Sequence, residues 1–216
     1  MMANGRSLDL SQGSVGKLLF SLSLPTITSQ IVNMLYNMVD RVFIGHMEPA
    51  ATVGKLALTG VGVCMPLLLV ISAFAALFAM GGAPRASISE GRGDRDAAER
   101  ILGNSFSLLL IASLVLTVFM LLFAKPILLQ FGASENTIGY AVDYMRIYAL
   151  GTVFVQMTLG LNAFITAQGF TTVSMKTVVI GAVLNIILDP IFIFVLGLGV
   201  RGAALATILS QAVSAL

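Results

Sequence analysis

Six apolar segments, set apart by short stretches of Gly, Pro and charged residues, constrain this chain more than any other feature. They run 18–44, 56–80, 101–123, 138–166, 177–196 and 203–216. A helix needs about 20 apolar residues to cross ~30 Å of hydrocarbon, whereas a membrane strand is about half as long and alternates polar with apolar side chains. The segments therefore predict an all-α integral membrane fold, a six-transmembrane-helix bundle. Its sixth helix stops after about 14 residues, short of a span, and reads as truncated. Composition agrees, with 57% hydrophobic and 10% charged residues among 216. Soluble domains carry about 25% charge, so lipid must solvate most of this surface. A formal charge of +2, scattered among apolar runs, gives no footing for nucleic acid.

The single cysteine, Cys64, cannot form an intrachain disulfide and lies in an apolar run, where it reads as packing. One histidine, His46, excludes a multi-histidine metal site and reads as a loop residue. The first apolar stretch continues past Pro25 to Val39, too long for a signal-peptide core, and reads as a retained helix after a tail at 1–17. Gly81-Gly82-Ala83-Pro84 is expected to end the second helix, and Gly197–Gly202 to form a hairpin before the sixth. Arg6, Lys17, Arg85, Arg92, Arg95, Arg100 and Lys176 fall on one side, against Arg41, Lys55, Lys125 and Arg201 on the other. That excess places the N-terminus in the cytoplasm of a multi-pass protein of the cell (plasma or inner) membrane.

Polar residues at membrane depth cost free energy and mark function by default. On the first helix Gln30, Asn33, Asn37 and Asp40 fall within a sector of roughly 80° at ~100° per residue. Such a stripe serves either interhelical hydrogen bonding or a cavity and cation path, and the carboxylate at its end favours the second. On the fifth, Asn185 and Asp189 are four apart and share a face. Pro190 has no N–H and frees the Ile186 carbonyl. An amide oxygen, a carboxylate and a carbonyl together suit a hard cation or a proton relay. By helical rise, Asp189 lies about 20 Å beyond Lys176, and Thr207 about 8 Å below Gly202, at matching depth. Tyr140, Tyr144 and Tyr148 form a stripe on the fourth helix that either lines a pocket for organic cations or belongs to an interfacial aromatic belt. Asp143 and Arg146 are spaced for a local ion pair. Gly202, Ala206, Ser210 and Ser214 form a small-residue packing face.

Several of these motifs, in order along nearly the whole chain, resemble those of the multidrug and toxin extrusion (MATE) family. They are Pro25 followed by Asn37-Met38-Val39-Asp40-Arg41-Val42-Phe43-Ile44-Gly45, then Gly81-Gly82 with Ile88-Ser89-Glu90-Gly91-Arg92-Gly93, then Asn162 through Gly169. Leu184-Asn185-Ile186-Ile187-Leu188-Asp189-Pro190 and Gly202-Ala203-Ala204-Leu205-Ala206-Thr207 complete the set. The resemblance implies the N-lobe of a twelve-helix MATE-type fold over 18–216, with a C-terminal lobe missing. It implies no enzyme but a secondary active efflux transporter, exchanging drugs or other organic cations for H+ or Na+ and needing no other cofactor. It assigns cation or proton coupling to Asp40, Asn185, Asp189 and Thr207, with Na+ the one metal such a site would take. Gln30, Asn33, Asn37, Tyr140 and Tyr144 are then candidates for the substrate cavity, with Pro25 and Pro190 as hinges. Partners would be the bilayer and small cationic substrates.

Two rivals differ in chemistry. A lipid-linked precursor flippase of the same superfamily needs a cationic cavity for a pyrophosphate, whereas acids dominate here. An intramembrane aspartyl protease would use Asp40 and Asp189 as its dyad. Its Tyr-Asp and Gly-x-Gly-Asp signatures are replaced by Val-Asp-Arg and Leu-Asp-Pro.

Overall fold

In hydrocarbon no water can satisfy a backbone N–H or C=O, so each spanning segment must close its own hydrogen bonds, as a helix does. The computed structural model describes residues 15–48 and 50–216, and every regular element among them is helical. The helices are α1 Val15–Gly45, α2 Lys55–Val63, α3 Met65–Gly91, α4 Arg95–Gln130, α5 Ile138–Leu150, α6 Thr152–Ala167, α7 Thr171–Pro190 and α8 Val200–Ala215. π-Helical turns at Ala50–Gly54 and Ile191–Val195 lead into α2 and out of α7. Three stretches, Thr52–Gly91, Arg95–Gln130 and Thr171–Val195, are long and apolar enough to cross a membrane, and the bent pair α5–α6 makes a fourth. α1 and α8 pack with them into one helical bundle. Leu69, Leu77 and Met80 of α3 and Leu114, Val115 and Leu122 of α4 lie more than half exposed. Lipid is the medium that such a face fits.

Several element ends differ from those read in the sequence. The tail expected at 1–17 lies outside the described residues up to position 14, and α1 takes in its last three. α3 runs straight through Gly81, Gly82 and Pro84 to Gly91 instead of ending near residue 80. Pro84 forfeits one hydrogen bond to the Met80 carbonyl, a loss that membrane helices absorb. Gly82 serves packing: a Cβ there would run into Ser105 of α4 and the Phe164 ring of α6. α4 starts at Arg95, before the apolar run, because Asp94 caps it; its carboxylate accepts from the Ala97 N–H at 3.0 Å. It then continues through Pro126 to Gln130, beyond the expected end at 123.

The fourth segment is two helices, bent by 59° at Gly151. A side chain at Gly151 would collide with Ile208 of α8. The glycine thus lets α8 press into the elbow. α7 begins six residues before the expected 177, and α8 three before 203. At Pro190 the missing N–H breaks the α-helical ladder, and the chain widens into the π turn. Asp143 does not pair with Arg146; it meets Arg201 of α8 at 3.0 Å, tying α5 to α8.

α3 packs along α4 and α6, α4 also along α5 and α6, while α8 lies against α5, α6 and α7. α1 leans chiefly on α7. Leu67, Ile71, Met120, Leu128, Met145 and Ala203 belong to the main buried cluster. Cys64, between α2 and α3, is fully buried in that cluster and reaches the Ala141 carbonyl at 3.4 Å. His46 stays exposed just after α1, with its Nδ1 2.7 Å from the Val42 carbonyl.

Candidate functional site

Because α1 rests on α7 while α3 and α6 form a separate seam, a space opens between the two groups. It is a cavity of about 430 Å³, within the roughly 300–1,000 Å³ typical of small-molecule sites. α1 contributes Ser29, Gln30, Asn33 and Tyr36 to its wall, α3 Met80 and Pro84, and α6 Thr158 and Asn162. α7 adds Ser174, Gly181 and Asn185, and α8 Thr207, Ser210 and Gln211. Among the described residues, no lysine, arginine, aspartate or glutamate lines it. Hydroxyls and amides on an apolar wall can orient a polar head without fixing one chemical identity.

The polar wall is organised by helix spacing. On α8, Thr207, Ser210, Gln211 and Ser214 recur every three or four residues and so share a face. Gln211 Nε2 donates to the Tyr36 hydroxyl at 3.5 Å, linking α8 to α1. Thr158 of α6 donates to the Gln211 carbonyl at 3.0 Å. Ser214 donates to the Thr177 carbonyl, and Thr177 to Asn162 Oδ1, each at 3.0 Å. Gly181 is required beside Ser214, whose hydroxyl occupies the place of a Cβ.

Two carboxylates stand behind one end of this wall. Asp189 is 0% and Asp40 7% exposed, and each lies within electrostatic range of the other. Asn185 Nδ2 donates to Asp189 Oδ1 at 3.3 Å across one helical turn. Asp40 Oδ1, Asp189 Oδ2 and Asn185 Oδ1 are buried with no hydrogen-bond partner. Thr207 donates to the Ala203 carbonyl at 3.0 Å, which leaves its oxygen free to accept or coordinate. The one ion pair among the described residues is Asp143–Arg201, so neither carboxylate has a salt-bridge partner. Unpaired buried carboxylate oxygens are costly, and a proton or a small hard cation is the simplest species that relieves them.

The structure thus brings Asp40, Asn185, Asp189 and Thr207 to one end of the cavity, where Asn185 and Thr207 reach its surface. Gln30 and Asn33 line the wall. Asn37 does not; it is exposed and donates to the Asn33 carbonyl at 2.7 Å. Tyr140 and Tyr144 also lie away from the cavity. Tyr140 packs at the edge of the main cluster, and Tyr144 is 4% exposed within it, stacked on Tyr148 at 6.0 Å between ring centroids. α5 packs on α2, α4 and α8, and Tyr144 lies within electrostatic range of Asp40 and Tyr36 of α1 without reaching the cavity surface. Pro25 sits inside α1 and Pro190 at the last turn of α7, directly after Asp189. Tyr36, Ser210 and Gln211 were not anticipated as site residues. Tyr36 is three residues after Asn33 and four before Asp40, and Gln211 is four after Thr207, so helical spacing was the available signal.

Comparison with known proteins places the chain in a defined neighbourhood. The MatE family model matches residues 25–191. The multidrug export protein MepA of Staphylococcus haemolyticus is 33% identical over 95% of this chain and 44% of its own length. A crystal structure of MATE in the bent conformation superposes with a TM-score of 0.87 at 30% identity, over 99% of this chain and 46% of that one. A MOP superfamily transporter from Pyrococcus furiosus, described as having a binding pocket of reverse polarity that suggests a different function, matches with a TM-score of 0.87 at 29% identity, covering 99% and 46%. The chain spans about half the length of the relatives it matches.

Proposed function

The chain belongs to the MatE family, and from that premise we propose that it is the ion-coupling lobe of a secondary active exporter of small, mostly cationic organic compounds. The relatives are named as multidrug export proteins rather than as enzymes, and the proposal extends that activity to this chain. The observation that carries it is the pair of sealed carboxylates with unpaired oxygens, set against a cavity of drug-like size.

Coupling follows from electrostatics. With the cavity open to water, Asp40 and Asp189 are hydrated and take up a proton or sodium ion, with Asn185 and Thr207 supplying neutral oxygens. Neutralised, the pair tolerates loss of water, and α1, weakened near Pro25, can close on α7 and α8. Substrate leaves as the cavity collapses. In this reading the N-terminus faces the cytoplasm of a plasma or inner membrane, and a second lobe completes the path. The flippase alternative fits less well, because among the described residues no cationic side chain lines the cavity to hold a pyrophosphate.

The test is efflux of an organic cation from cells or vesicles carrying the protein, with imposed proton or sodium gradients. Efflux that ignores both gradients would refute coupling at this site.

A further inference from the structure

We propose that the cavity is loaded sideways from the bilayer, through a groove between α1 and the α6–α7 turn, by amphiphiles with an apolar tail and a small polar head. The inference rests on the cavity being a transport site and adds the route and substrate class. The groove has a volume of about 380 Å³ and is formed by Leu22, Ser23, Thr26 and Ile27 of α1 with Thr166 of α6 and Thr171 of α7. Thr26, Thr166 and Thr171 also line the main cavity, so the two spaces meet at a throat of three hydroxyls.

Three features make this throat a passage rather than a surface dent. First, α1 packs along α7 with no extended seam against α6, so the side of the cavity is not closed by helix packing. Second, Thr171 is 3% exposed and its Oγ1 has no hydrogen-bond partner, whereas Thr26 already donates to the Leu22 carbonyl at 3.0 Å. A buried, unsatisfied hydroxyl at the junction offers a passing polar head one good hydrogen bond. Third, Leu22 to Ile27 lie 7 to 12 residues from the start of α1 at Val15, about 10–18 Å along the helix axis. Thr166 and Thr171 flank the α6–α7 turn, ahead of Lys176, so the groove opens at the inner edge of the bilayer, where acyl chains meet head groups. The outer wall is correspondingly apolar, with Ile27 54% exposed. A tail lying against Leu22 and Ile27 would bring its head to the threonines, and the next step inward is the amide-lined cavity.

The experiment uses the membrane-embedded protein with two quaternary ammonium probes sharing one head group, one short-chained and water-soluble, the other long-chained. Ser23→Trp and Ile27→Trp fill the groove from residues that do not line the main cavity. Each should cut transport of the long-chain probe by about tenfold, the scale on which apolar pocket mismatches discriminate, and leave the short-chain probe unchanged. Equal loss of both probes, or loss of neither, overturns the side entrance while leaving the cavity's function intact. Wild-type protein that moves neither probe overturns the transport reading and the entrance with it. A readout independent of transport uses Ile27→Cys, with the chain's single native cysteine fully buried. A membrane-soluble maleimide should label it, and the long-chain ammonium should protect it. Labelling by water-soluble maleimide alone would again refute the entrance.

Discussion

The two sides of this bundle are built on opposite principles. Where α3, α4 and α6 meet, contact is close and almost wholly apolar, with Gly82 and Gly160 set where any side chain would strike a neighbour. Ala75, Leu109 and Met157 form one such buried layer. Where α1, α7 and α8 meet, the walls are amides, hydroxyls and carboxylates. Among the described residues, six of the seven with buried, unpartnered side-chain atoms belong to these three helices, Gln156 of α6 being the seventh. One side is finished without ligand; the other has hydrogen-bonding capacity left over. Unspent polarity in a dry interior is unstable unless something arrives to use it. A close-packed half beside a half with unspent polarity is the division that the proposed export function would use.

Substitutions can break or sharpen that contrast. The largest effect is expected on the polar side: Asp189→Asn should abolish gradient-driven efflux, a fall of a hundredfold or more on the scale of residues indispensable to a mechanism (order of magnitude ~10² or above). Asp40→Asn should fall short of it only modestly. Both variants should stay folded, since each replaces a buried charge with a neutral isostere; an efflux assay beside a thermal melt in detergent checks the pair. Gly160→Val drives a side chain into Leu109 and should do the reverse, costing about 1–3 kcal/mol of stability by overpacking while residual folded protein remains coupled. If instead it uncouples transport at unchanged melting temperature, the rigid side is not merely a support.

Gln156 tests the exception. Its Nε2 donates to the Ile71 carbonyl at 2.9 Å and its Oε1 has no partner. Gln156→Met exchanges one interhelical hydrogen bond for relief of an unsatisfied oxygen. The net change in the melt should be within about 1 kcal/mol, with efflux intact. Smallest of all is Arg201→Ala. In the Asp143–Arg201 pair the Arg201 side chain is 59% and that of Asp143 34% exposed, and such pairs contribute about 0–1 kcal/mol.

Hydropathy made the all-helical, lipid-facing fold legible, and helical spacing exposed the Asn185–Asp189 pair and the α1 stripe, because both patterns are imposed by lipid and by the helix itself. Glycine and proline were poorer guides. Gly81, Gly82, Pro84 and Pro126 look like helix terminators by the rules of water, yet all four lie inside helices. In hydrocarbon an unwound backbone costs more than a missing hydrogen bond, so the helix persists. Gly151, which does break the fourth segment, carries no neighbouring proline or polar cluster to announce it. The close approach of Ile208 that requires a glycine there is a long-range fact that no local pattern records. Asn37 was misplaced for a different reason: a stripe about 80° wide is too coarse to separate the wall from its rim.

Ile208 is the neighbour of Thr207 in sequence, so one helical turn of α8 touches the cavity on one side and fills the Gly151 elbow on the other. A displacement of that turn cannot occur without opening or tightening the angle between α5 and α6. A pair of spectroscopic labels straddling the elbow, placed on its lipid-facing surface, would therefore register occupancy of the carboxylates without disturbing them.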